Sequence, residues 1–330
     1  MDQFTAHLDR GWDLAQRGDA GGAESSAKKA LELEASSPEA HNLLGFACAL
    51  RGDFDEALEF YRQAIALDDT FLEAILNAAE LCIHPLGDLE EALKLSNDAL
   101  ELVETNGELT DALLLKFDAL MGLGDRDGCL STLAQIPDAP FENPAHAFLV
   151  GRALFEMGET ARAEQLLVDA GKREPENPEV PYYLALIFDQ RGDVPAATEA
   201  LLRSRELDSR SPRPPWTLSR EAFIAATQKA VLSVTPRLRA YLDSQEIFVS
   251  DLPGVEVIVE GADPRTPILV DPLEDTETRV RVFVYQNNIE RMAGSIDRVG
   301  EEIRDAIERE VAAVLMSDDL APPPEGAQLN

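Results

Sequence analysis

The sequence has little of several residue types that mark particular protein classes. Its 330 residues include three cysteines, and aromatic residues make up only 6% of them. No run of 18 apolar residues occurs, so we expect no membrane-spanning helix. The first segment, MDQFTAHLDR, carries acidic residues and lacks the apolar core of a signal peptide. The sequence therefore predicts a soluble, cytoplasmic protein.

Basic residues are also scarce. The chain has 29 lysines and arginines against 62 aspartates and glutamates, a formal net charge of −33. Binding to nucleic acid or to anionic lipid depends on neutralising phosphate with basic side chains. We therefore expect neither a nucleic-acid nor a membrane-surface partner, whereas a basic protein partner stays open.

The cysteines and histidines show no spacing typical of a metal or redox site. Cys48, Cys82 and Cys129 lie far apart, which predicts small buried apolar residues in a reducing compartment rather than a disulfide framework. All four histidines precede residue 209, in different parts of the repeat described below, and each is expected to be structural: His7, His41, His84 and His146.

What the sequence does have is an internal repeat. A glycine followed by an acidic residue recurs six times, at intervals of 34, 35, 37, 34 and 34 residues: Gly18, Gly52, Gly87, Gly124, Gly158 and Gly192. Five residues after each glycine stands a small residue: Ala23, Ala57, Ala92, Cys129, Ala163 and Ala197. Further apolar or small residues follow at helical spacing, so each unit predicts a pair of helices joined by a glycine-capped turn.

This pattern resembles the tetratricopeptide repeat family, and about six helical hairpins cover residues 1–208. The resemblance is strongest over residues 41–68, where six positions match the family pattern: Leu44, Gly45, Gly52, Ala57, Tyr61 and Ala64. Ser96 and Lys116 depart from it, because both are polar at positions that are usually apolar.

The resemblance implies an all-α solenoid with a groove, lined by the first helix of each unit, that binds peptides or helices of other proteins. Seven residues would face that groove by position: Asn42, Phe46, Phe148, Arg152, Phe155, Tyr182 and Asp189. Residues 1–210 hold 17 basic and 41 acidic residues, a net of −24, and an acidic groove would favour a basic ligand. Two alternatives stay open: the aromatic residues pack between helices, and the charges merely solvate the convex face.

The remaining sequence predicts a linker at 209–217, a small α+β domain at 218–316 and a disordered tail at 317–330. A helix is predicted at 220–234, with Phe223, Ala226, Ala230 and Val234 near one face. Strands are predicted at 245–252, 256–260 and 278–286, and residues 261–277 are taken as a loop. A last helix, from about Gly294 to Met316, has one apolar face: Ile296, Val299, Ile303, Ile307, Val311 and Val314.

This second domain resembles the bacterial minimal zincin-like metallopeptidase family. The counterparts of the family framework are the helix at 219–231, the Asp-Leu-Pro turn at 251–253, the strand and NNIER run at 280–293, and the helix at 303–319. Where the family has H-E-x-x-H-H-x-G, the segment 309–316 keeps only Glu310, and Arg309 and Ala313 replace the two histidines.

The loss of these histidines predicts a degenerate, inactive peptidase domain. Arginine cannot coordinate zinc, and alanine has no donor atom. Residues 210–330 contain no histidine and no cysteine, so we expect no cofactor and no metal. A carboxylate site for calcium or magnesium at Asp271, Glu274, Asp275 and Glu277 stays open, but a solvated loop is the simpler interpretation.

The sequence thus favours a non-catalytic interaction scaffold or adaptor that binds a protein or peptide, with the peptidase-like domain as a second binding surface. The alternative is a metal-dependent hydrolase that uses unrecognised ligands and recruits substrate through the repeats. A third hypothesis, in which the groove holds the chain's own tail, is less attractive because groove and tail would both be acidic.

Overall fold

The computed structural model describes residues 2–214, 216–243, 245–272 and 280–320. The chain divides into two compact units, Met1–Pro175 and Glu176–Asn330. In both, most of the described residues are helical. Within the described residues, every helix is too short or too polar to cross a lipid bilayer.

The first unit consists of five helical hairpins. Their helices are α1 (Gln3–Gln16), α2 (Ala20–Leu33), α3 (Pro38–Arg51), α4 (Phe54–Leu67), α5 (Leu72–Ile83), α6 (Leu89–Leu100), α7 (Asn106–Leu123), α8 (Arg126–Leu133), α9 (Pro144–Glu156) and α10 (Thr160–Arg173). Each hairpin packs on the next, and the first helices of neighbouring hairpins contact one another. This stacking is the solenoid-like arrangement that the repeat predicted.

The turns form for the reason that the sequence suggested. All six repeated glycines have positive φ, between 71° and 87°, which is the left-handed conformation that ends a helix. The acidic residue that follows caps the second helix in four hairpins, at Asp19, Asp88, Asp125 and Asp193. The small residues that stand five positions after each repeated glycine are all buried. The hairpin prediction is therefore confirmed at the level of single contacts.

The irregular parts of the repeat are accommodated locally. Ser96 is fully buried, and its hydroxyl donates to the carbonyl of Ala92 at 2.7 Å, so the polar group is satisfied within its own helix. The longer join at 137–144 places Phe141 in the interior, edge-on to the ring of His146. The three cysteines are free thiols and are buried, as predicted.

The second unit contains the sixth hairpin and the small α+β region. The hairpin is α11 (Glu179–Gln190) and α12 (Val194–Arg210). It is followed by α13 (Arg220–Ser233), α14 (Pro236–Leu242), β1 (Glu246–Ser250), α15 (Val255–Val259), β2 (Ile268–Pro272), β3 (Val280–Tyr285), α16 (Gln286–Ala293), a 3₁₀ turn (Ile296–Arg298) and α17 (Val299–Leu320).

The three strands form one mixed sheet in the order β1-β3-β2. β1 is parallel to β3, with Phe248 opposite Phe283, and β2 is antiparallel to β3, with Val270 opposite Val282. The core lies between this sheet and α13 and α17, and its fully buried members include Phe223, Val282, Val284, Ile303, Ile307 and Val311. The predicted face of α13 and the strand at 280–285 are thus confirmed, as are four of the six residues predicted for the face of α17: Val299, Ile303, Ile307 and Val311.

Three predictions for this region are wrong. Residues 255–259 form α15, a short helix that buries only Ile258, and the sheet takes its third strand from residues 268–272 instead. The predicted loop at 261–277 contains β2, whose Pro272 is tolerated because an edge strand needs fewer backbone donors. Ile296 lies before α17, in the 3₁₀ turn, and is 47% exposed.

The ends of the predicted segments also differ. α12 continues to Arg210 and α17 to Leu320, so helices extend into the predicted linker and tail. The boundary between the compact units falls at 175/176, which groups the sixth hairpin with the α+β region, whereas the repeat sequence itself ends near residue 208. The rest of the tail, the side chain of Val314, and Glu274, Asp275 and Glu277 lie outside the described residues.

Candidate functional site

A concave cleft of about 430 Å³ lies in the first unit, on the first helices of the third, fourth and fifth hairpins. We call it the α5–α7–α9 cleft. Its apolar side chains are Leu76, Ile83, Leu114, Leu115 and Leu149. Leu76, Leu115 and Leu149 are only half-buried, so apolar surface stays in contact with solvent there. Such surface gains free energy when another apolar group covers it.

Polar side chains surround this apolar surface, and half of them are acidic. They are Asn77, Glu80, His84, Asp111, Asp118 and Arg152. The terminal nitrogen Nη2 of Arg152 donates to both oxygens of Asp118 at 2.9 Å, and its Nε lies 3.8 Å from Glu156. Arg152 is therefore already paired with carboxylates, and the cleft keeps an excess of negative charge.

The polar groups also connect neighbouring hairpins. Asp111 on α7 lies 2.7 Å from Nε2 of the buried His146 on α9, and Arg152 on α9 reaches Asp118 on α7. Partly exposed pairs of this kind contribute about 0–1 kcal/mol each. Their main effect is to fix the positions of the carboxylates that line the cleft.

A second polar chain joins α3 to α5. Asn42 is fully buried; its Nδ2 donates to Glu73 at 3.1 Å, and its Oδ1 accepts from Nδ2 of Asn77 at 3.0 Å. Asn77 also lines the α5–α7–α9 cleft. Asn42 therefore orients a residue of the cleft and is itself closed off from solvent.

The structure brings together only part of the predicted groove set. Arg152 lines the α5–α7–α9 cleft. Phe46 packs against Trp12, with ring centroids 5.4 Å apart, Phe148 is 8% exposed, and Phe155 is half-buried. Phe46 thus packs between α1 and α3, and Phe148 is buried.

The last two members of the set lie in the second unit. The hydroxyl of Tyr182 donates to Asp263 at 2.9 Å, and the guanidinium of Arg265 covers its ring at 4.1 Å. Burial first, and then the Asp263 carboxylate, raise the pKa of Tyr182 well above its usual value. Asp189 lies exposed near the end of α11. Tyr182 is therefore engaged by the α+β region of its own unit.

Sequence reasoning missed the acidic members of the cleft, although the repeat contained the signal. Glu80, Asp118 and Arg152 follow Phe46 at intervals of 34, 38 and 34 residues, which is one repeat position in successive units. Opposite charges at equivalent positions of adjacent units predict the Asp118–Arg152 pair. The predicted groove set contained Arg152 but neither Glu80 nor Asp118.

Arg309, Glu310 and Ala313, which the resemblance placed at the motif positions, lie on α17. Nε of Arg309 donates to Glu310 at 2.9 Å, and both side chains are more than a third exposed. Asp271 on β2 is paired with Arg281 on β3. Among the described residues, no group of three or more histidine, cysteine, aspartate or glutamate side chains is arranged to hold a metal ion.

Two tetratricopeptide repeat family models match the chain, at residues 38–71 and 149–212. The first covers the hairpin α3–α4 and the second covers parts of the last two hairpins. The chain therefore carries tetratricopeptide repeats, a class of module that generally mediates protein–protein interactions. No curated protein matches the chain.

Several solved structures share the fold. The structure described as Pseudomonas aeruginosa pilF is 19% identical with a TM-score of 0.53, over 63% of this chain and 93% of that one. PilW, described as a type IV pilus biogenesis factor, is 17% identical with a TM-score of 0.53, over 62% and 92%. The Cut9–Hcn1 structure is 14% identical with a TM-score of 0.51, over 66% and 40%. At these identities the likeness concerns the fold alone.

Proposed function

We propose that this protein is a non-catalytic scaffold that binds a segment of another protein in the α5–α7–α9 cleft. The observation that carries the proposal is the combination of half-buried leucines with a polar rim, of three carboxylates against one arginine, on three consecutive first helices. Leucine-type side chains of a ligand would cover Leu76, Leu115 and Leu149. Lysine or arginine side chains beside them would meet the carboxylates.

The partner segment is therefore amphipathic, with apolar anchors and flanking basic residues. The apolar contacts supply most of the binding free energy, because burial of apolar surface is the dominant favourable term in association. The charges supply orientation and a faster encounter with basic segments. A cleft of about 430 Å³ accommodates a few side chains, which suits a short peptide or one face of a helix.

Selection from a random peptide library tests this proposal. We expect the enriched peptides to combine leucine, isoleucine or methionine with lysine or arginine, and to bind less tightly as salt rises from about 50 to about 150 mM. Enrichment of acidic peptides, or an affinity that salt leaves unchanged, would contradict the acidic rim as the source of specificity.

We further propose that residues 218–316 are a degenerate minimal zincin-like domain that acts as a second, non-catalytic binding surface. Support comes from the order of a helix, the 251–253 turn, a strand running into the NNIER helix, and a final long helix. The ligand positions are occupied by Arg309 and Ala313, and Arg309 is paired with Glu310. A general base held by an adjacent guanidinium, with no imidazole beside it, does not make a zinc-peptidase site.

Metal content distinguishes this proposal from the alternative hydrolase. The full chain is equilibrated with excess zinc, passed through gel filtration and subjected to elemental analysis. We expect near-zero retained zinc, because residues 210–330 provide neither histidine nor cysteine. One retained zinc per chain would contradict the proposal and favour the hydrolase.

A further inference from the structure

A second cleft, of about 560 Å³, lies within the second unit. It is formed by the end of α12, the segment before α13, the turn after β1 and the first residues of α16. We call it the arginine cleft, after Arg205, Arg213 and Arg220, which line it together with Asp251, Gln286 and Asn287. Neither the repeat nor the peptidase-like framework accounts for three arginines at one place in a chain with a net charge of −33.

The charges in the arginine cleft are unbalanced. Among the described residues that line it, Asp251 is the one carboxylate, and it accepts from Arg213 at 2.7 Å and from Arg220 at 3.1 Å. Arg220 also donates to the carbonyl of Val249 at 2.5 Å, and Nε of Arg205 donates to the carbonyl of Pro253 at 2.6 Å. Three guanidinium groups thus face one carboxylate, which leaves a formal excess of two positive charges.

Several guanidinium donors remain available. Each arginine has five N–H groups, and the bonds just described use one in Arg205, one in Arg213 and two in Arg220. Within the described part of the chain, both terminal nitrogens of Arg205 lack an acceptor. The backbone bonds orient the guanidinium groups of Arg205 and Arg220, so their remaining donors are fixed before any ligand arrives.

The arginine cleft also contains acceptors that lack a donor. Gln286 is 1% exposed, and its Nε2 donates to the carbonyl of Leu218 and to Glu290, both at 2.8 Å. These two bonds fix the orientation of the amide, and its Oε1 is buried with no partner among the described residues. Oδ1 of Asn287 is likewise buried and has no hydrogen-bond partner among the described residues. A buried acceptor without a donor is unfavourable, so both atoms indicate a ligand that brings N–H or O–H groups.

The backbone adds to the positive potential. α16 begins at Gln286, and its N-cap residue, Tyr285, makes no side-chain cap bond. The N-terminal end of a helix carries a partial positive charge that favours anions. The amide of Asn287 donates to the carbonyl of Asp251 at 3.1 Å, which holds the turn after β1 against this helix end.

We infer that the arginine cleft binds a phosphate monoester that carries neighbouring hydroxyl or amide donors. A phosphate monoester has a charge of about −1.5 to −2 at pH 7, which matches the excess of two positive charges, whereas a carboxylate matches only one of them. Guanidinium groups bind phosphate oxygens through paired N–H donors. The neighbouring donors of the ligand satisfy Gln286 and Asn287. The inference is independent of the α5–α7–α9 cleft.

Calorimetric titration of the full chain tests this inference with three probes: O-phosphoserine, inorganic phosphate and serine. O-phosphoserine presents both a phosphate and an ammonium donor, so we expect it to bind most tightly. Inorganic phosphate binds more weakly, and serine shows no binding. Phosphate binding equal to that of O-phosphoserine would remove the assigned role of Gln286 and Asn287, and equal binding of serine would overturn the phosphate site.

Substitution of one arginine supplies the control. Arg213→Gln removes a cleft charge at a side chain that is 44% exposed, and we expect at least a tenfold loss of O-phosphoserine affinity with an unchanged melting temperature. Arg210→Gln also removes one positive charge, but Arg210 lies outside the cleft, three residues before Arg213, and pairs with Glu206. We expect an affinity within about twofold of the unsubstituted chain there. Equal losses in both variants, or no binding of any probe at millimolar concentration, would overturn the inference.

Discussion

A single glycine in each hairpin adopts a backbone conformation that other residues reach only at a cost. Gly52 has a φ of 85°, and a Cβ atom built there would meet nothing closer than 3.9 Å. The space is open, so the constraint comes from the backbone. A residue with a Cβ atom in the left-handed region is strained by roughly 1–2 kcal/mol.

We therefore expect Gly52→Ala to lower the free energy of unfolding by about 1 kcal/mol. Gly107→Ala is the matched control, because Gly107 lies in the first turn of α7 at an ordinary helical φ, and its nearest contact would be 3.7 Å away. That change should leave stability equal or slightly higher, since alanine favours helix. Urea unfolding of the full chain measures both. An unchanged stability in Gly52→Ala would argue against the left-handed turn.

Side chains of opposite charge join the elements of the second unit. Asp208 on α12 is 5% exposed and accepts from Arg291 on α16. Its other oxygen lies 3.5 Å from Nε of Arg265, which follows α15 and also pairs with Glu179 on α11 at 2.6 Å. Arg205 on α12 adds a bond to the carbonyl of Pro253. The sixth hairpin is thereby tied to the α+β region, and the two fold as parts of one compact unit.

Breaking this network should destabilise the unit strongly. Asp208→Asn removes the buried carboxylate, so that Arg291 loses its counter-ion and Arg265 keeps only Glu179, which costs roughly 3 kcal/mol. Asp189→Asn, at an exposed position on the same hairpin, should leave the free energy of unfolding almost unchanged. Hydrogen exchange of the full chain can localise the effect to residues 176–320. Equal protection in the two variants would show that the network does not hold the hairpin.

The elements that the sequence predicted correctly have strong periodic patterns. The six hairpins and the long helix α17 repeat their buried positions over many residues, and β3 alternates through Val280, Val282 and Val284. The segment 255–259 has a β-rich composition, but only Ile258 is buried. The sheet takes its third strand from residues 268–272 instead, a pairing with β3 that local propensity does not contain.

The candidate site was only partly predictable for a related reason. Arg152, which was chosen by its repeat position, lines the α5–α7–α9 cleft, since that position recurs along the first helices. Repeat position did not reveal that Tyr182 would be covered by Arg265, because Arg265 lies outside the repeats. The contact of Phe46 with Trp12 does follow the repeat, since Trp12 precedes Phe46 by 34 residues at the same repeat position. The arginine cleft joins residues from 205 to 287 and has no compact sequence signature.

At the scale of the whole molecule, a net charge of −33 makes electrostatic attraction to basic partners a general property of the surface. A specific site must therefore be distinguished from this background. Glu80 and Glu90 belong to the same hairpin and are both exposed, but only Glu80 lines the α5–α7–α9 cleft. Reversing either charge changes the net charge of the protein by the same amount.

The most direct measurement is thus the affinity of one selected basic, leucine-containing peptide for Glu80→Lys and Glu90→Lys, compared with the unsubstituted chain. We predict at least a tenfold loss for Glu80→Lys, because a like charge then faces the basic residues of the ligand. Glu90→Lys should stay within about twofold at physiological salt, where exposed charges more than about 8 Å apart are screened. Equal losses in the two variants, or no loss in Glu80→Lys, would contradict the cleft as the binding site.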